Sequence, residues 1–414
     1  MAKKKGGKFT FSEIGDLMND MSKKMPIVIN DQEEYELIGT GIYILNAMLS
    51  GSLYGGIQSN RISCLAGDTG VGKSFLAYGI CREAQKKDWN VIYIDTEFSI
   101  QREQLPAYGI DISEDKFMLV RSNVIEDLKI MLTRILDAMK DKKRDGNEIP
   151  KTLIVLDSVG MLASRKEVED AKDGKEKADM TRAKSLNSLF RIINSDLGYL
   201  NVPMITTNHT YQTMDLFPQQ IMKGGKGLYY AASTIAFLSK AKLKTGDEDD
   251  LDVGQSGIIV TAKAMKNRMA KPKKVKFEID FTQGSNPYKG LESFCRPEYF
   301  NKIGIGQGKW EEYKTPIVDE ATGEEVYGEF KAGSGNRWYI KHLGKHIYTK
   351  ELHSSAVFTQ EVLDLMEPIV NNYFKYKSLE ELEETQKEYE SMSATEDIDD
   401  GLDVDDMDAT DLFE

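Results

Sequence analysis

The chain has 414 residues, 40% of them hydrophobic, so it is long enough to bury a sizeable core. Its formal net charge of −13 argues at first against a nucleic-acid-binding protein. However, ten acidic residues and no basic residue lie between Glu396 and Glu414, so the rest of the chain is close to neutral. We therefore predict a near-neutral body with a disordered acidic tail at residues 391–414.

Cysteine content and hydropathy exclude two further classes of protein. Cys64, Cys81 and Cys295 fit no zinc spacing and are a poor basis for a disulfide framework. We expect free thiols that pack in the core, in a reducing intracellular compartment. No stretch approaches the roughly 18 apolar residues of a membrane-spanning helix. The basic start "MAKKKGG" lacks the apolar region of a signal peptide. We expect no membrane partner.

Residues 1–36 form the first predicted segment. The stretch "FSEIGDLMNDM" predicts one amphipathic helix. A helix this short is not stable alone in water, so we expect it to dock on the main body or on a neighbouring molecule.

Residues 37–290 alternate between strand and helix patterns. "RISCLAG", "NVIYIDTE", "TLIVLDS" and "VPMITTNHT" are short apolar runs typical of parallel strands covered on both faces. In "MTRAKSLNSLFRIINSDL" the apolar spacing predicts a core-facing helix. "STIAFLSKAKL", "SGIIVTAKAM" and "KVKFEIDF" predict antiparallel strands that extend the sheet, the first two joined by the acidic loop "KTGDEDDLDVG". The fold class is therefore α/β, with a mostly parallel central sheet.

The stretch "TTNHTYQTMDLFPQQIMKGGKG" leaves a predicted strand and shows neither strand alternation nor a sustained helical period. Loops of this length are uncommon inside domains and are usually functional or disordered. Aromatic and basic residues together suit single-stranded nucleic acid, and a substrate lid is the alternative. The residues concerned are Tyr211, Phe217, Lys223 and Lys226, with Gly224 and Gly225 between the lysines.

Residues 291–390 predict a small C-terminal domain. Its aromatic, glycine-broken segments are followed by two helical stretches, "TQEVLDLMEPIVNNYF" and "SLEELEETQKEYESM".

The motif "GDTGVGKS" matches the phosphate-binding loop pattern between a predicted strand and a predicted helix. Its glycines let successive backbone N–H groups point at a phosphate, and the helix N-terminus favours anions. Lys73 is predicted to contact the β and γ phosphates, and the Ser74 hydroxyl to bind Mg²⁺. We therefore predict an ATP site at Gly67, Asp68, Thr69, Gly70, Val71, Gly72, Lys73, Ser74 and Phe75.

Acidic residues end two of the predicted strands, and a histidine ends a third. Ligand sites in open α/β sheets lie at the carboxyl ends of strands. Asp157 suits orientation of the Mg²⁺ shell, with a structural cap as the alternative. Glu97 and Asp95 are equal candidates for the base that activates water. His209 suits a γ-phosphate sensor, although a lone histidine is more often structural.

The run from "LIGTGIYILNAMLSGSLYGGIQSNRISCLAGDTGVGKS" to "AKAMKNRMAKPKKVKFEIDF" resembles the RecA-type strand-exchange recombinases. The stretches "LASRKEVEDAKDGKEKADMTRAKSLNSLFRII" and "NHTYQTMDLFPQQIMKGGKGLYYAAST" resemble the UvsX branch of tailed phages. The resemblance covers roughly residues 37–290 and is weak in the C-terminal part.

The resemblance implies a RecA-like P-loop ATPase core and a DNA-dependent ATPase that forms filaments on single-stranded DNA and exchanges strands with double-stranded DNA. It implies Glu97 as the catalytic glutamate and His209 as the sensor. Lys266 and Arg268 would act across the protomer interface. The segments after Gly160 and His209 would be the two DNA-binding loops, with Arg165 and Lys166 in the first and Phe217 in the second, although the charge of the first predicts only a solvated segment.

Further expectations come from the same resemblance. Single-strand-binding and mediator proteins are expected partners. Residues 1–36 are expected to be an assembly segment. The expected location is the cytoplasm, which would be the host cytoplasm if a phage encodes the protein. A ring-shaped replicative helicase and a regulatory P-loop ATPase without DNA are the alternatives. The segment "FSIQREQLPAYG" lacks the aromatic residue expected to stack on adenine, which leaves Gln101, Arg102 and Gln104 as candidates.

Overall fold

A computed structural model describes residues 11–22, 35–174, 181–214, 219–243, 256–318, 325–378 and 381–382. The chain divides into two units, residues 1–375 and 376–414. Phe217, the predicted acidic loop at 244–254 and the predicted tail at 391–414 lie outside the described residues. The predicted helix "SLEELEETQKEYESM" also lies almost wholly outside them.

Helices and strands alternate through the first part of the chain. In order they are α1 (Phe11–Ser22), β1 (Leu37–Ile38), α2 (Tyr43–Ser50), β2 (Ile57–Gln58), β3 (Ile62–Gly67), α3 (Lys73–Gln85), β4 (Asn90–Asp95), a 3₁₀ helix (Arg102–Tyr108), β5 (Phe117–Arg121), α4 (Ile125–Arg144), β6 (Thr152–Asp157), α5 (Arg165–Lys172), α6 (Thr181–Leu200), β7 (Met204–Asn208), β8 (Thr210–Gln212), β9 (Gln220–Met222) and α7 (Gly227–Ala231).

The later part is richer in strands. Its elements are β10 (Thr234–Leu243), β11 (Gly257–Asn267), β12 (Lys274–Asp280), β13 (Gly284–Ser285), α8 (Phe300–Ile303), β14 (Ile305–Val318), β15 (Glu325–Ala332), β16 (Arg337–Ile340), β17 (Lys345–Tyr348), α9 (Thr349–Leu352) and α10 (Gln360–Phe374).

The central sheet has nine strands in the order β13-β12-β11-β10-β3-β7-β6-β4-β5. The strands from β10 to β5 pair in parallel, and β11, β12 and β13 continue the sheet in antiparallel fashion. This confirms the predicted α/β class and the predicted antiparallel extension. Strand β5 was not among the predicted strands.

Helices cover both faces of this sheet, and each face has its own hydrophobic cluster. One cluster combines α2 and α3 with the sheet, and the other combines α4 and α6 with it. Every apolar residue that predicted the core face of α6 is buried: Leu186, Leu189, Phe190, Ile193 and Leu197. The strands β3, β6 and β7 are buried throughout, because both of their faces are covered by helices.

Residues 291–374 combine helix α10, which matches its predicted position, with a four-stranded antiparallel sheet in the order β15-β14-β16-β17. Trp338 and Ile340 of this sheet belong to the same hydrophobic cluster as α2 and α3. Two hydrogen bonds join α10 to the chain after α2: the Tyr54 hydroxyl and Asp364 (2.5 Å), and the Leu53 amide and Glu367 (2.8 Å). The boundaries at residues 36, 290 and 390 stay predictions.

The segment 206–227, predicted to have no regular structure, contains two short paired strands. Strands β8 and β9 pair in antiparallel register, with Tyr211 opposite Ile221. The alternation was too short to detect because each strand has only three residues. The segment is therefore a short hairpin rather than an irregular loop in the part that the structure describes.

All three cysteines are free and buried, as predicted. Burial raises the pKa of the Cys64 thiol to about 12, so it stays protonated at neutral pH. Among the residues described, no helix has the length and apolar character that crossing a membrane requires.

A buried histidine pairs with a carboxylate where the chain leaves the central sheet. His353 Nε2 lies 2.9 Å from Glu292 Oε2. Burial tends to raise the pKa of Glu292, but the hydrogen bond and charge of His353 outweigh it, so the pKa of Glu292 is lowered. A carboxyl whose pKa is lowered by folding stabilises the fold above its unfolded pKa of about 4.3, and this contribution is lost as pH falls further.

We predict that Glu292→Gln lowers the free energy of unfolding at pH 7 by about 1 kcal/mol, since solvent screens this partly exposed pair. The difference from the unmutated chain should shrink below about pH 4. Urea unfolding followed by tryptophan fluorescence measures both, with Glu298→Gln as the control. A difference that stays constant down to pH 3 would contradict the assignment.

Candidate functional site

Four parallel strands end side by side at one edge of the central sheet. β3 ends at Gly67, β4 at Asp95, β6 at Asp157 and β7 at Asn208. Asp95 is paired with Asp157, and Asn208 with Ala66, so these strand ends lie level with one another. This edge therefore brings together the predicted phosphate-binding loop, Glu97, Asp157 and His209.

The loop between β3 and α3 needs its glycines for steric reasons. Gly72 has a φ of +89°, and a Cβ there would lie 2.7 Å from Ile279 Cδ1. A Cβ on Gly67 would lie 2.5 Å from the Leu238 carbonyl oxygen. Helix α3 begins directly behind the loop at Lys73, so its first N–H groups are available to an anion. This geometry fits the phosphates of a nucleotide.

The Lys73 side chain is buried, and its ammonium donates to the Gly67 carbonyl (3.0 Å) and the Asp68 carbonyl (2.8 Å). Burial lowers the pKa of Lys73, and the negative charges of Asp157 and Glu97 oppose that shift. A desolvated ammonium beside an anion-binding loop gains from a phosphate that supplies the missing charge.

Asp157 has a fixed orientation suited to a metal shell. Its Oδ2 accepts a hydrogen bond from the Tyr93 hydroxyl (2.7 Å), and its Oδ1 accepts one from Thr207 Oγ1. Burial, followed by the charge of Asp157, raises the pKa of Tyr93, which therefore stays a donor. Both carboxylate oxygens retain a lone pair that could accept from a metal-bound water. Asp157 thus fits the shell of a Mg²⁺ ion that also binds a triphosphate, and Ser74 lies in the first turn of α3, directly behind the loop.

Asp95 and Glu97, which the strand pattern left as equal candidates before the resemblance favoured Glu97, have different surroundings. Asp95 is 1% exposed and accepts hydrogen bonds from the Glu97 and Ile100 amides. Each oxygen of the Asp95 carboxylate thus already accepts a backbone hydrogen bond from the turn after β4. The Glu97 side chain is 36% exposed, and Phe98 after it has a φ of +56°, unusual for a bulky residue. Glu97 is therefore the better placed of the two to reach a water.

His209 contacts Glu97 directly. Its Nε2 lies 3.2 Å from Glu97 Oε1, and the same oxygen accepts a hydrogen bond from Ser158 Oγ (2.9 Å). The His209 carbonyl accepts from the Lys223 amide (2.9 Å), so the end of the hairpin is joined to its start. One residue on, Thr210 Oγ1 donates to Asp68 in the phosphate-binding loop (3.2 Å).

The hairpin exposes the residue types that sequence singled out. The Tyr211 side chain is 47% exposed, and Lys223 and Lys226 are exposed. Gly224 and Gly225 both have positive φ, so the chain can turn sharply between the two lysines. Phe217, the aromatic residue expected in this segment, lies outside the described residues.

The other predicted DNA-binding segment begins close by. A Cβ on Gly160 would lie 3.0 Å from the His209 ring, so the two segments start side by side. Arg182 donates to the carbonyls of Gly160 (2.9 Å) and Leu162 (2.6 Å). Arg165 and Lys166 are both exposed, and Arg165 forms an ion pair with Asp127.

Lys266 and Arg268 do not join this site within the protomer. Lys266 of β11 is opposite Ile235 of β10, and Ile235 is in turn opposite Cys64 of β3. Cys64 precedes Gly67 by three residues, so Lys266 lies roughly 10 Å along the strands from the edge where the phosphate-binding loop begins. The Lys266 ammonium donates to the carbonyls of Tyr229 (2.7 Å) and Tyr230 (3.2 Å), while Arg268 is exposed. Burial, and then the Arg268 charge, lower the pKa of Lys266.

Two residues near the loop were missed in the sequence. Tyr108 lines a cleft of about 580 Å³ beside α3, with Phe75, Tyr78 and Arg82. Its ring lies 4.9 Å from that of Tyr78 and 6.2 Å from that of Phe75. Lys240 lies in β10 two residues beyond Leu238, which pairs with Gly67, and it donates to the Thr69 carbonyl (3.2 Å). The parallel register of β10 with β3, had it been known, would have indicated Lys240.

None of the earlier adenine candidates lines this cleft. Arg102 donates to the Ile112 carbonyl (2.7 Å), and Gln104 donates to the side chain of Gln101 (2.7 Å). The 3₁₀ helix after β4 turns the chain so that Tyr108, at its end, faces α3.

The fold and this site define a P-loop nucleotide-binding protein. The family model of the RecA N-terminal domain matches residues 19–286. The "Recombination and repair protein" of phage T4 is 34% identical over 303 residues, which cover 72% of this chain and 71% of that protein. "Protein RecA" of Fusobacterium nucleatum is 26% identical over 289 residues, covering 66% and 70%. "Protein RecA" of Treponema denticola is 25% identical over 365 residues, covering 87% and 78%.

The chain belongs to the RecA family. This confirms the resemblance to RecA-type recombinases, and the phage T4 relative confirms the phage branch.

We predict that Tyr108→Ala weakens ATP binding by on the order of tenfold, because the purine loses a stacking surface. Tyr108→Phe should bind ATP nearly as well as the unmutated chain. Inorganic tripolyphosphate, which has no base, should bind equally to all three. Calorimetric titration measures these affinities. Equal losses for ATP and tripolyphosphate, or no loss, would contradict a base site in this cleft.

Proposed function

We propose that the protein is a DNA-dependent ATPase that assembles into filaments on single-stranded DNA and catalyses homologous pairing and strand exchange in recombination and repair. The observation that carries this proposal is the contact between His209 and Glu97. It joins the candidate nucleotide site to a hairpin with exposed Tyr211 and Lys223. Membership of the RecA family and the phage T4 recombination and repair protein support it.

The proposed chemistry is hydrolysis of ATP to ADP and phosphate. Lys73 and the loop amides bind the phosphates, and Glu97 accepts a proton from the attacking water. Bound Mg²⁺, with Ser74 and Asp157 as its protein partners, would neutralise charge on the β and γ oxygens. His209 would donate from Nε2 to a γ-phosphate oxygen. Tyr108 would stack on the base.

Lys266 and Arg268 are proposed to act on the nucleotide of a neighbouring protomer. Their position in the sheet keeps them away from their own phosphate-binding loop. Two cations close together, one of them with a lowered pKa, gain from a phosphate anion placed between protomers. Such a seam is heterologous, so it can repeat along a filament.

A mixing experiment tests this arrangement. Lys73→Ala protomers and Lys266→Ala/Arg268→Ala protomers should each be nearly inactive alone. In an equal mixture, about a quarter of the seams combine an intact loop with intact cations, so ATPase activity should recover in part. Steady-state phosphate release measures the recovery. Additive, near-zero activity of the mixture would place the two cations outside the neighbour's site.

Two features of the described residues favour assembly. Helix α1 exposes its apolar face, with Phe11 at 89% and Leu17 at 55% exposure. In the part of the chain that the structure describes, β5 is an edge strand of the central sheet with Met118 55% exposed. Unpaired edges and apolar helix faces are surfaces on which another chain docks. Residues 1–36 would thus be an assembly segment, with Phe9 and Phe11 as the candidate anchors; Phe9 lies outside the described residues.

Single-stranded DNA is proposed to contact the hairpin and the segment after Gly160. Tyr211 would stack on a base, while Lys223, Lys226 and Lys166 would pair with phosphates. Gly224 and Gly225 would let the backbone approach the strand closely. Because Arg165 is ion-paired with Asp127, its use on DNA would require that pair to break.

We predict that Tyr211→Ala with Lys223→Ala weakens single-stranded DNA binding by roughly tenfold to a hundredfold, since one stacked base and one phosphate contact are lost. The dependence of log affinity on log salt should also fall by about one unit. Tyr348→Ala with Lys345→Ala, the same substitutions in the C-terminal sheet, is the control. Fluorescence anisotropy with a labelled oligonucleotide measures both, and equal losses in the two double variants would contradict the hairpin assignment.

Electron microscopy separates the proposed function from its alternatives. With single-stranded DNA and a slowly hydrolysed ATP analogue, we expect helical filaments, followed by strand exchange when duplex DNA and ATP are supplied. Closed rings would indicate a helicase, and neither form would indicate a regulatory ATPase. Single-strand-binding and mediator proteins are proposed partners, and the host cytoplasm is the proposed location, in keeping with the phage relative.

A further inference from the structure

The carboxylate of Glu97 is shared between two side chains. Ser158 Oγ donates to Glu97 Oε1 at 2.9 Å, and His209 Nε2 lies 3.2 Å from the same oxygen. In the tautomer with the proton on Nε2, His209 donates to the Glu97 carboxylate, which as an anion only accepts hydrogen bonds. Glu97 Oε1 therefore has two donors in this state.

This arrangement disables both proposed catalytic groups at once. The Glu97 Oε1 atom already faces both Ser158 Oγ and His209 Nε2, so it has little room left to accept a hydrogen bond from an attacking water. The His209 Nε2–H that would bind a γ-phosphate oxygen is already used on Glu97. Glu97 and His209 thus form an inhibitory pair as long as they remain in contact.

The two donors differ in how freely they can leave Glu97. Ser158 is fully buried, and its backbone is fixed by reciprocal bonds with Thr96: the Ser158 amide donates to Thr96 Oγ1 (2.8 Å), which donates to the Ser158 carbonyl (2.7 Å). His209 lies outside the central sheet, directly before β8. Its carbonyl accepts from Lys223, so a shift of the hairpin shifts the histidine too.

The hairpin is the element that carries Tyr211 and Lys223. DNA that stacks on the ring and pairs with the ammonium changes the position that the hairpin prefers. Since Thr210 donates to Asp68 in the phosphate-binding loop (3.2 Å), the same displacement also reaches that loop. Only the backbone from His209 to Tyr211 therefore separates the proposed DNA contact from the side chain that touches Glu97.

We propose that the His209–Glu97 pair keeps ATP hydrolysis low in the absence of DNA, that single-stranded DNA on the hairpin withdraws His209, and that Ser158 then positions Glu97 for the attacking water. This proposal rests on the proposed function, because it specifies the regulation of the same site. It makes Ser158 a positioning residue that acts through Glu97.

Removal of the histidine tests the inhibitory pair. His209→Ala should raise ATP turnover without DNA by on the order of fivefold, the equivalent of one net hydrogen bond, and lower turnover with DNA, because the γ-phosphate donor is lost. His209→Gln keeps an N–H donor of similar reach and should retain low turnover without DNA. His342→Ala, which removes an exposed histidine beside the Ala356 carbonyl, is the matched control.

The results distinguish failure of the inhibitory pair from failure of the proposed function. Suppose that DNA stimulates ATP turnover by the unmutated chain, but that without DNA the turnover of His209→Ala is no higher than that of the unmutated chain. The inhibitory pair is then wrong and the proposed function stands. If DNA does not stimulate the unmutated chain at all, both are overturned.

Ser158→Ala tests the positioning role. It should lower kcat with DNA several-fold, while the KM for ATP and the affinity for DNA stay unchanged, because Ser158 contacts neither in this scheme. Thermal unfolding of the variant checks that the fold is retained. An unchanged kcat would remove Ser158 from the mechanism.

A measurement without nucleotide gives an independent readout. The chain has four histidines, so ¹⁵N-histidine labelling yields few signals, and the signal absent from His209→Gln identifies His209. Glu97→Ala and a short single-stranded oligonucleotide should both shift the His209 Nε2 signal in the same direction. A signal that DNA leaves unchanged would overturn the proposal.

Discussion

Parallel register between neighbouring strands is the constraint on which the whole site depends. Asp95 is level with Asp157, and Ala66 is level with Asn208. Because of these pairings, the phosphate-binding loop, the Glu97 carboxylate and the His209 ring emerge at the same edge of the sheet. A slip of one residue in any of these strands would turn its side chains to the opposite face, and the buried faces of β3, β6 and β7 prevent such a slip.

The same edge explains how one short hairpin can serve two ligands. His209 directly follows the last residue of β7, which is fixed in the sheet, and directly precedes β8. Nucleotide contacts would act on its side chain, and DNA contacts would act on the hairpin that continues its backbone. In the proposed scheme, binding at either site would bias the other through a single residue, and by linkage the effect would be reciprocal. Because ten of the acidic residues lie between Glu396 and Glu414, the rest of the sequence is nearly neutral, which removes the objection that net charge first raised against DNA binding.

Sequence alone predicted the parts of the fold whose patterns are local. The apolar runs predicted four parallel strands, the glycine motif predicted the phosphate loop, and the spacing in α6 predicted its core face. It missed features that depend on tertiary pairing: β8 and β9 are too short to show a period, and the C-terminal sheet was taken only as aromatic segments. Tyr108 was missed because its proximity to α3 depends on a 3₁₀ turn, and Lys240 because it depends on strand register. The strand pattern alone left Asp95 and Glu97 as equal candidates, because one ends β4 and the other follows it two residues later. The family resemblance favoured Glu97, and the hydrogen bonds that Asp95 accepts from the Glu97 and Ile100 amides support that choice.

The central claim is that His209 transmits nucleotide occupancy to the hairpin. Hydrogen exchange of the amides in β8 and β9 tests it most directly, with and without a slowly hydrolysed ATP analogue and Mg²⁺. The account predicts that the analogue changes protection of these amides in the unmutated chain, and that His209→Ala abolishes the change although the analogue still binds. An equal change in the variant, or none in the unmutated chain, would contradict it.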